Sequence, residues 1–415
     1  MKFFINSYFG DNQSIGLLSH IKKRLPYGMD DQWMVFSHYT ERGWTVDNLW
    51  HIFTDFYGGQ YAPLAFLSYL VLYAGFGYDP FYFHMFSLLL HIGCVCLVWK
   101  LISSLLRVHG GVSEKQILYV NFITTLLFAV HPINVEAVAW ISALKVLLYA
   151  FFYLLGLLCY LRYIRTSKIF YYVLTIGCFL CSFWGKEQAV TFPLALLIVD
   201  WFTNRNMKNL EVWSEKMSFL IMAFFFGIIT VLSQGKGPYE MIFPLYQRLL
   251  FGCFALVEYI TKSLLPVNLN FFYPFPIVLG EEPPLHYYLY PVVLLFLMGW
   301  IIAYRNNRYL VFGVLLFLVN LLFSIHLFNM SRHAIVADRY MYLSYVGIAF
   351  LIANGIWWLR KRLSYFKVAL VFLFFYCFFL SVYTFHYTKK RENTTMVKKY
   401  TKEVLEKRLN GSNHL

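Results

Sequence analysis

Apolar runs separated by short polar gaps fill the chain from residue 84 almost to its end. They fall at about 84–106, 116–131, 144–163, 169–184, 189–203, 217–234, 287–304, 309–327, 341–359 and 366–386. Most approach the ~20 residues an α-helix needs to cross ~30 Å of hydrocarbon, so the pattern predicts an all-α fold with about ten transmembrane helices. Two other apolar stretches are ambiguous by length. Residues 61–77, YAPLAFLSYLVLYAGFG, either cross or lie flat. Residues 249–265, LFGCFALVEYITKSLLP, carry Glu258 and Lys262 one turn apart, which suits a helix lying at the interface or covering a cavity. Pro266, Pro274, Pro276, Pro283 and Pro284 keep the chain after it irregular. Residues 1–28 have a Lys22, Lys23, Arg24 cluster but no apolar run long enough for a signal-peptide core or a span.

Composition agrees with that pattern. Of 415 residues 60% are hydrophobic, 21% aromatic and only 13% charged, against roughly 25% charged in soluble domains. The net charge of +14 is not a nucleic-acid footprint, because the basic residues sit in short clusters between apolar runs. Those clusters are Lys100, Arg107 and Lys115; Arg162, Arg165 and Lys168; Arg205, Lys208 and Lys216; Arg305 and Arg308; and Arg360, Lys361, Arg362 and Lys367. The positive-inside rule puts them in the cytoplasm. The segment 235–285 then leaves and returns on the outer side, so 249–265 is expected not to span. Seven cysteines are scattered through apolar segments, which predicts neither a metal site nor a disulfide framework. The divisions expected are a polar N-terminal segment 1–28, a first outer loop with a surface helix 29–83, a membrane domain 84–387 containing the large outer loop 235–285, and a basic tail 388–415.

Candidate chemistry gathers on the outer side. The loop from Pro26 to Leu64 opens with Asp30 and Asp31, adjacent carboxylates that repel and so can hold one proton more tightly, as suits a general base acting on a hydroxyl. The plainer alternative is a solvated turn. Four further clusters fall on the same side: HPINVEAVAW at 131–140 with His131 and Glu136; WGKEQAVTFP at 184–193 with Lys186 and Glu187; the long loop with Arg248, Lys262 and LLPVNLNFFYPFP; and ADRYMYL at 337–343 with Asp338 and Arg339. Snorkelling explains any one such residue, but not readily four clusters on one side. His131 is expected to cap a turn beside Pro132, and His84 and His91 to pack in a helix.

Taken in order, the DD pair, YAPLAFLSYLVLYAGFGYDPFYFHMFSLLLH, LLFAVHPINVEAVAWIS, GKEQAVTFPLALLIVDW, LLPVNLNFFYP and ADRYMYLSYVG resemble the bacterial relatives of the membrane O-mannosyltransferases that bear tetratricopeptide repeats, within the GT-C glycosyltransferase superfamily. The likeness covers roughly residues 25–390. It implies a transferase of the inner membrane that moves a sugar from a polyprenyl-phosphate carrier to an acceptor hydroxyl of a protein or glycan on the periplasmic face, among membrane lipid and with no nucleic acid. It also implies that residues 61–77 lie along the outer surface, with the acidic pair facing the same cavity as the other clusters under the 235–285 loop.

In that scheme Asp30, Asp31 and Glu136 are catalytic and Arg339 and Lys186 bind the donor phosphate, Arg because its planar fork spans two phosphate oxygens. Asp338, Glu187, His131 and Arg248 support them. Cationic side chains neutralise the leaving group, so no cofactor and no metal is expected. The family pattern also implies a membrane helix ahead of the acidic loop, which residues 1–28 are not expected to supply, and repeats after the membrane domain, which the tail is not expected to hold. Where relatives carry an Arg-Lys-Asp or similar triplet after AWIS, this chain reads Leu144, Lys145 and Val146, which raises a catalytically altered relative that binds the carrier as one alternative. A flippase for lipid-linked sugars is another, and it calls for an inverted repeat with mid-span charges that the chain does not display.

Overall fold

The computed structural model describes residues 31–234, 243–270, 273–326 and 334–391. Asp30 lies outside the described residues. Each apolar run is helical. Three short helices precede them, α1 (Asp31–Met34), α2 (His38–Glu41) and α3 (Val46–Thr54), followed by α4 (Pro63–Phe76). The bundle comprises α5 (Pro80–His109), α6 (Glu114–Val130), the short α7 (Val135–Ala139), α8 (Leu144–Thr166), α9 (Ile169–Gly185), α10 (Phe192–Phe202), α11 (Leu210–Gln234), α12 (Leu245–Leu264), α13 (Leu289–Ala303), α14 (Arg308–Leu321), α15 (Met341–Trp358) and α16 (Leu363–Arg391). Local chemistry sets several ends. Asp79 caps the first turn of α5 ahead of Pro80, Ser113 caps α6, and Ser167 in the left-handed region closes α8.

The helices differ widely in length. Among the described residues six segments are long and apolar enough to cross a membrane: Pro80–His109, Ile141–Thr166, Leu210–Ser233, Leu285–Ala303, Asp338–Lys361 and Leu363–Lys389. A seventh is formed if α6 is counted with the Pro132–Ala139 segment, from which it is bent by 49°. Pro132 explains the break, since it lacks the N–H that would continue the ladder. α9 has 17 residues, α14 14 and α10 11, and at ~1.5 Å per residue even 17 residues reach only about 26 Å. α4, with 14 residues, falls short in the same way. The chain is a multi-pass, all-α membrane protein.

α8 lies at the centre and is buried along most of its length, packed against α9 and α5. α13 is the extreme opposite and buries no side chain. α12 is one-sided, with Phe251, Ala255, Tyr259 and Lys262 buried along one face, and its Glu258 and Lys262 pair at 3.5 Å. The two described strands, β1 (Tyr273–Pro274) and β2 (Ala334–Val336), pair antiparallel and tie the long loop to the segment just ahead of Asp338.

Candidate active site

Asp31, Glu136, Lys186, Asp338 and Arg339 gather at one end of the bundle, at the N-terminal ends of α8 and α15 and the C-terminal end of α9, whereas Arg248 lies at the far end of α12 from Lys262. The bend at Pro132 makes this possible. His131 accepts the backbone N–H of Ile133 at 3.2 Å and so caps the turn. The turn delivers Glu136, which is only 2% exposed, to Arg339. One carboxylate oxygen takes the Arg339 guanidinium at 2.7 Å and the other takes the Arg339 backbone N–H at 2.7 Å. Guanidinium and main chain are therefore fixed by the same carboxylate, a charge-assisted contact in a buried setting. Aromatic faces complete the cradle, since Arg339 lies over the rings of Trp140 at 5.3 Å and Tyr340 at 5.1 Å.

Lys186, 3% exposed, stands 5.0 Å from the centre of the same Tyr340 ring and 3.9 Å from the Glu187 carboxylate. Both candidate phosphate-binding cations thus share one aromatic neighbour. The position of Lys186 follows from close helix contact. A Cβ on Gly185 would lie 2.7 Å from the Tyr149 backbone nitrogen, so the end of α9 meets the first turns of α8 without a side chain between them.

Asp31 is buried at 6% exposure, and its Oδ1 accepts the backbone N–H of Ser142 at 3.1 Å and the Ser142 hydroxyl. It stands at the N-terminal end of α8, opposite the end that bears Arg162 and Arg165. A tight hairpin holds this loop down. Tyr57 and Gln60 pair across Gly58 and Gly59, whose φ values of 59° and 71° fit a type I′ turn. A Cβ on Gly58 would lie 2.5 Å from the Trp33 ring, two residues from Asp31. Gln60 accepts a hydrogen bond from Lys145, which is 6% exposed.

Asp338, expected among the supporting residues, lies on the short turn that leads into α15. It is fully buried and accepts the Tyr273 hydroxyl at 3.0 and 3.3 Å, with the Tyr387 hydroxyl at 3.5 Å. Burial, together with the Asp338 charge, pushes the Tyr273 phenol well above its ordinary value, so it remains a neutral donor. Lys262 covers the Tyr273 ring at 4.4 Å, which brings the long loop against Asp338. Arg248 sits half-buried in the first turn of α12. His91 donates to or accepts from the Tyr342 hydroxyl at 2.7 Å inside the bundle. Ser142, Gln60 and Tyr273 are not among the candidates the sequence offers, and Lys145 stands out there only as the middle residue of the triplet after AWIS. Their only signal was position, Ser142 and Lys145 within and just after the AWIS element. Among the described residues no group of three or more His, Cys, Asp or Glu side chains is arranged to hold a metal ion.

The chain is similar to protein O-mannosyl-transferase TMTC2 of Mus musculus, 32% identical over 189 residues, which is 41% of this chain and 21% of that protein. It is similar also to protein O-mannosyl-transferase TMTC4 of Homo sapiens, 31% identical over 35% of this chain and 22% of the relative, and to protein O-mannosyl-transferase Tmtc3 of Drosophila melanogaster, 28% identical over 37% and 18%. The match therefore spans about a fifth of the length of these relatives. No family model matches the chain, and no solved structure does.

Proposed function

We propose that the chain is a GT-C glycosyltransferase that moves a sugar, mannose by its likeness to the O-mannosyl-transferases, from a polyprenyl-phosphate carrier to an acceptor hydroxyl on the outer, periplasmic face. In that reading α9, α10 with the turn before it, and α14 cross the membrane with the longer helices, making about ten spans. The observation that carries the proposal is the gathering of a buried base candidate, Asp31, with two buried-edge cations, Arg339 and Lys186, at a single end of the bundle.

The chemistry follows from those roles. Asp31, with Asp30 beside it in sequence, takes the proton of the acceptor hydroxyl as its oxygen bonds to the anomeric carbon. The bond from that carbon to the carrier phosphate breaks, its electron pair goes to the phosphate oxygen, and the anomeric centre inverts. Arg339 and Lys186 stabilise the charge on the departing phosphate in a low-dielectric site, where such contacts are stronger than in water. Glu136 holds the Arg339 fork in place. The gathering of charge at the ends of the bundle argues against the flippase alternative, which needs charge at mid-span.

The test is consumption of polyprenyl-phosphate-mannose by the purified full chain with and without Asp31→Asn. General-base loss predicts a fall of about 10²–10⁴-fold. Unchanged turnover in the variant would remove Asp31 from the mechanism, and carrier binding without turnover by the wild type would favour the altered, carrier-binding relative.

A further inference from the structure

Asp31 is held by a relay that starts on another helix. Ser142 places two donors on one carboxylate oxygen, its backbone N–H at 3.1 Å and its hydroxyl. The peptide unit that carries this N–H is itself fixed, because its carbonyl, on Ile141, accepts the Tyr69 hydroxyl at 2.9 Å. A peptide whose carbonyl accepts a hydrogen bond is a stronger N–H donor. Water has little access to these bonds, since Ser142 and Tyr69 are fully buried and Asp31 nearly so. Tyr69 stands on α4, and its ring lies 6.3 Å from that of Phe83 on α5, so the relay is anchored in the packed bundle. The charged side chain next on the Ser142 stretch, Lys145, is engaged by Gln60.

We propose that Ser142, with Tyr69 behind it, is a positioning residue for the Asp31 base, fixing the rotation of its carboxylate toward the acceptor hydroxyl and favouring its ionised form. This rests on the glycosyl-transfer reading above. Two donors on a single oxygen stabilise the charged carboxylate and leave it one orientation, whereas a carboxylate in a solvated turn rotates.

The experiment uses the full chain with polyprenyl-phosphate-mannose. Ser142→Ala keeps the backbone N–H and removes the hydroxyl. It should lower kcat about tenfold, the scale of one hydrogen bond to a charged group, with the KM for the carrier within about twofold of wild type. The acid limb of the kcat/KM profile should move to higher pH, and Ser142→Thr should restore both. Tyr69→Phe, which keeps the ring, should shift the profile the same way by less, and it carries the test alone should Ser142→Ala not fold. A wild-type kcat and acid limb in the folded variants, or a loss seen equally in KM and not rescued by Thr, would overturn the role. An inactive Asp31→Asn with an unshifted Ser142→Ala defeats only this inference, while an active Asp31→Asn defeats the general-base reading itself.

Discussion

Glu136 joins two segments 203 residues apart by using both of its oxygens on Arg339. Such a contact orients the cation without any help from substrate, and the Trp140 and Tyr340 faces limit its movement further. A second carboxylate does similar work just after α3. Asp55 accepts the Tyr39 hydroxyl at 3.0 Å and lies 3.1 Å from His51 Nδ1. Burial pushes the Asp55 carboxyl up, but the hydrogen bonds from Tyr39 and His51 outweigh it and hold it below its ordinary 3.8. A depressed carboxylate contributes stability above its unfolded value, and that contribution is lost as pH falls through the lower folded value. The melting temperature of the wild type should therefore exceed that of Asp55→Asn at neutral pH, with the gap closing only below about pH 4. A gap that persists unchanged to pH 2 would mean the side chain acts through packing rather than charge.

Helices of this bundle approach one another where side chains are small. Gly347 on α15 faces Gly313 on α14, and a Cβ at Gly347 would lie 2.5 Å from the Gly313 carbonyl oxygen and 2.7 Å from the Phe317 nitrogen. Both obstacles are backbone, so neither can swing aside. Small residues at such crossings give membrane helices their packing contacts, since lipid supplies no hydrophobic drive between them. Gly347→Ala should destabilise the protein by about 1–3 kcal/mol, the scale of overpacking, read as a lower melting temperature in detergent. Gly299→Ala on α13, where nothing lies within 4 Å, should be neutral or slightly stabilising because alanine is the better helix former. Equal effects at the two positions would refute the close-contact argument. Helix existence was plain from the apolar runs, but this crossing was not, because a lone glycine in an apolar run has the same appearance whether it meets a helix or lipid.

At the other end of α8 from the site, the molecule is clamped by charge. Lys216 and Asp200 are both fully buried and paired with each other, Arg205 reaches Asp200 at 3.1 Å and Glu215 at 2.6 Å, and the Tyr160 hydroxyl donates to both Asp200 oxygens at 2.8 Å. Lys216 and Arg205 read as topology signals in the sequence, yet here they balance two carboxylates inside the bundle and join α8, α10 and α11. Removing one partner strands a buried charge, so Lys216→Met should cost about 3–5 kcal/mol, and adding Asp200→Asn should return part of it. Thermal unfolding of the single and double variants checks this. A single variant as stable as wild type would show that the cluster is solvated rather than clamped.

The class of the protein and most of its helices are local properties. Twenty apolar residues in a row suit a bilayer whatever surrounds them, and a proline breaks a helix wherever it falls. Glu136, Lys186 and Arg339 were legible only as candidates, because ionisable residues at the ends of apolar runs are costly unless paired or solvated. Which residue meets which was settled only by packing. Ser142 binds Asp31 from 111 residues away, Lys145 meets Gln60 from 85, and Tyr273 turns Asp338 inward from 65. None of these pairings has a period or a spacing that a linear reading can register. They exist because α8, α9 and α15 bring their ends to one place, and a neutral serine, glutamine or tyrosine carries no mark of its use until a charge is buried beside it.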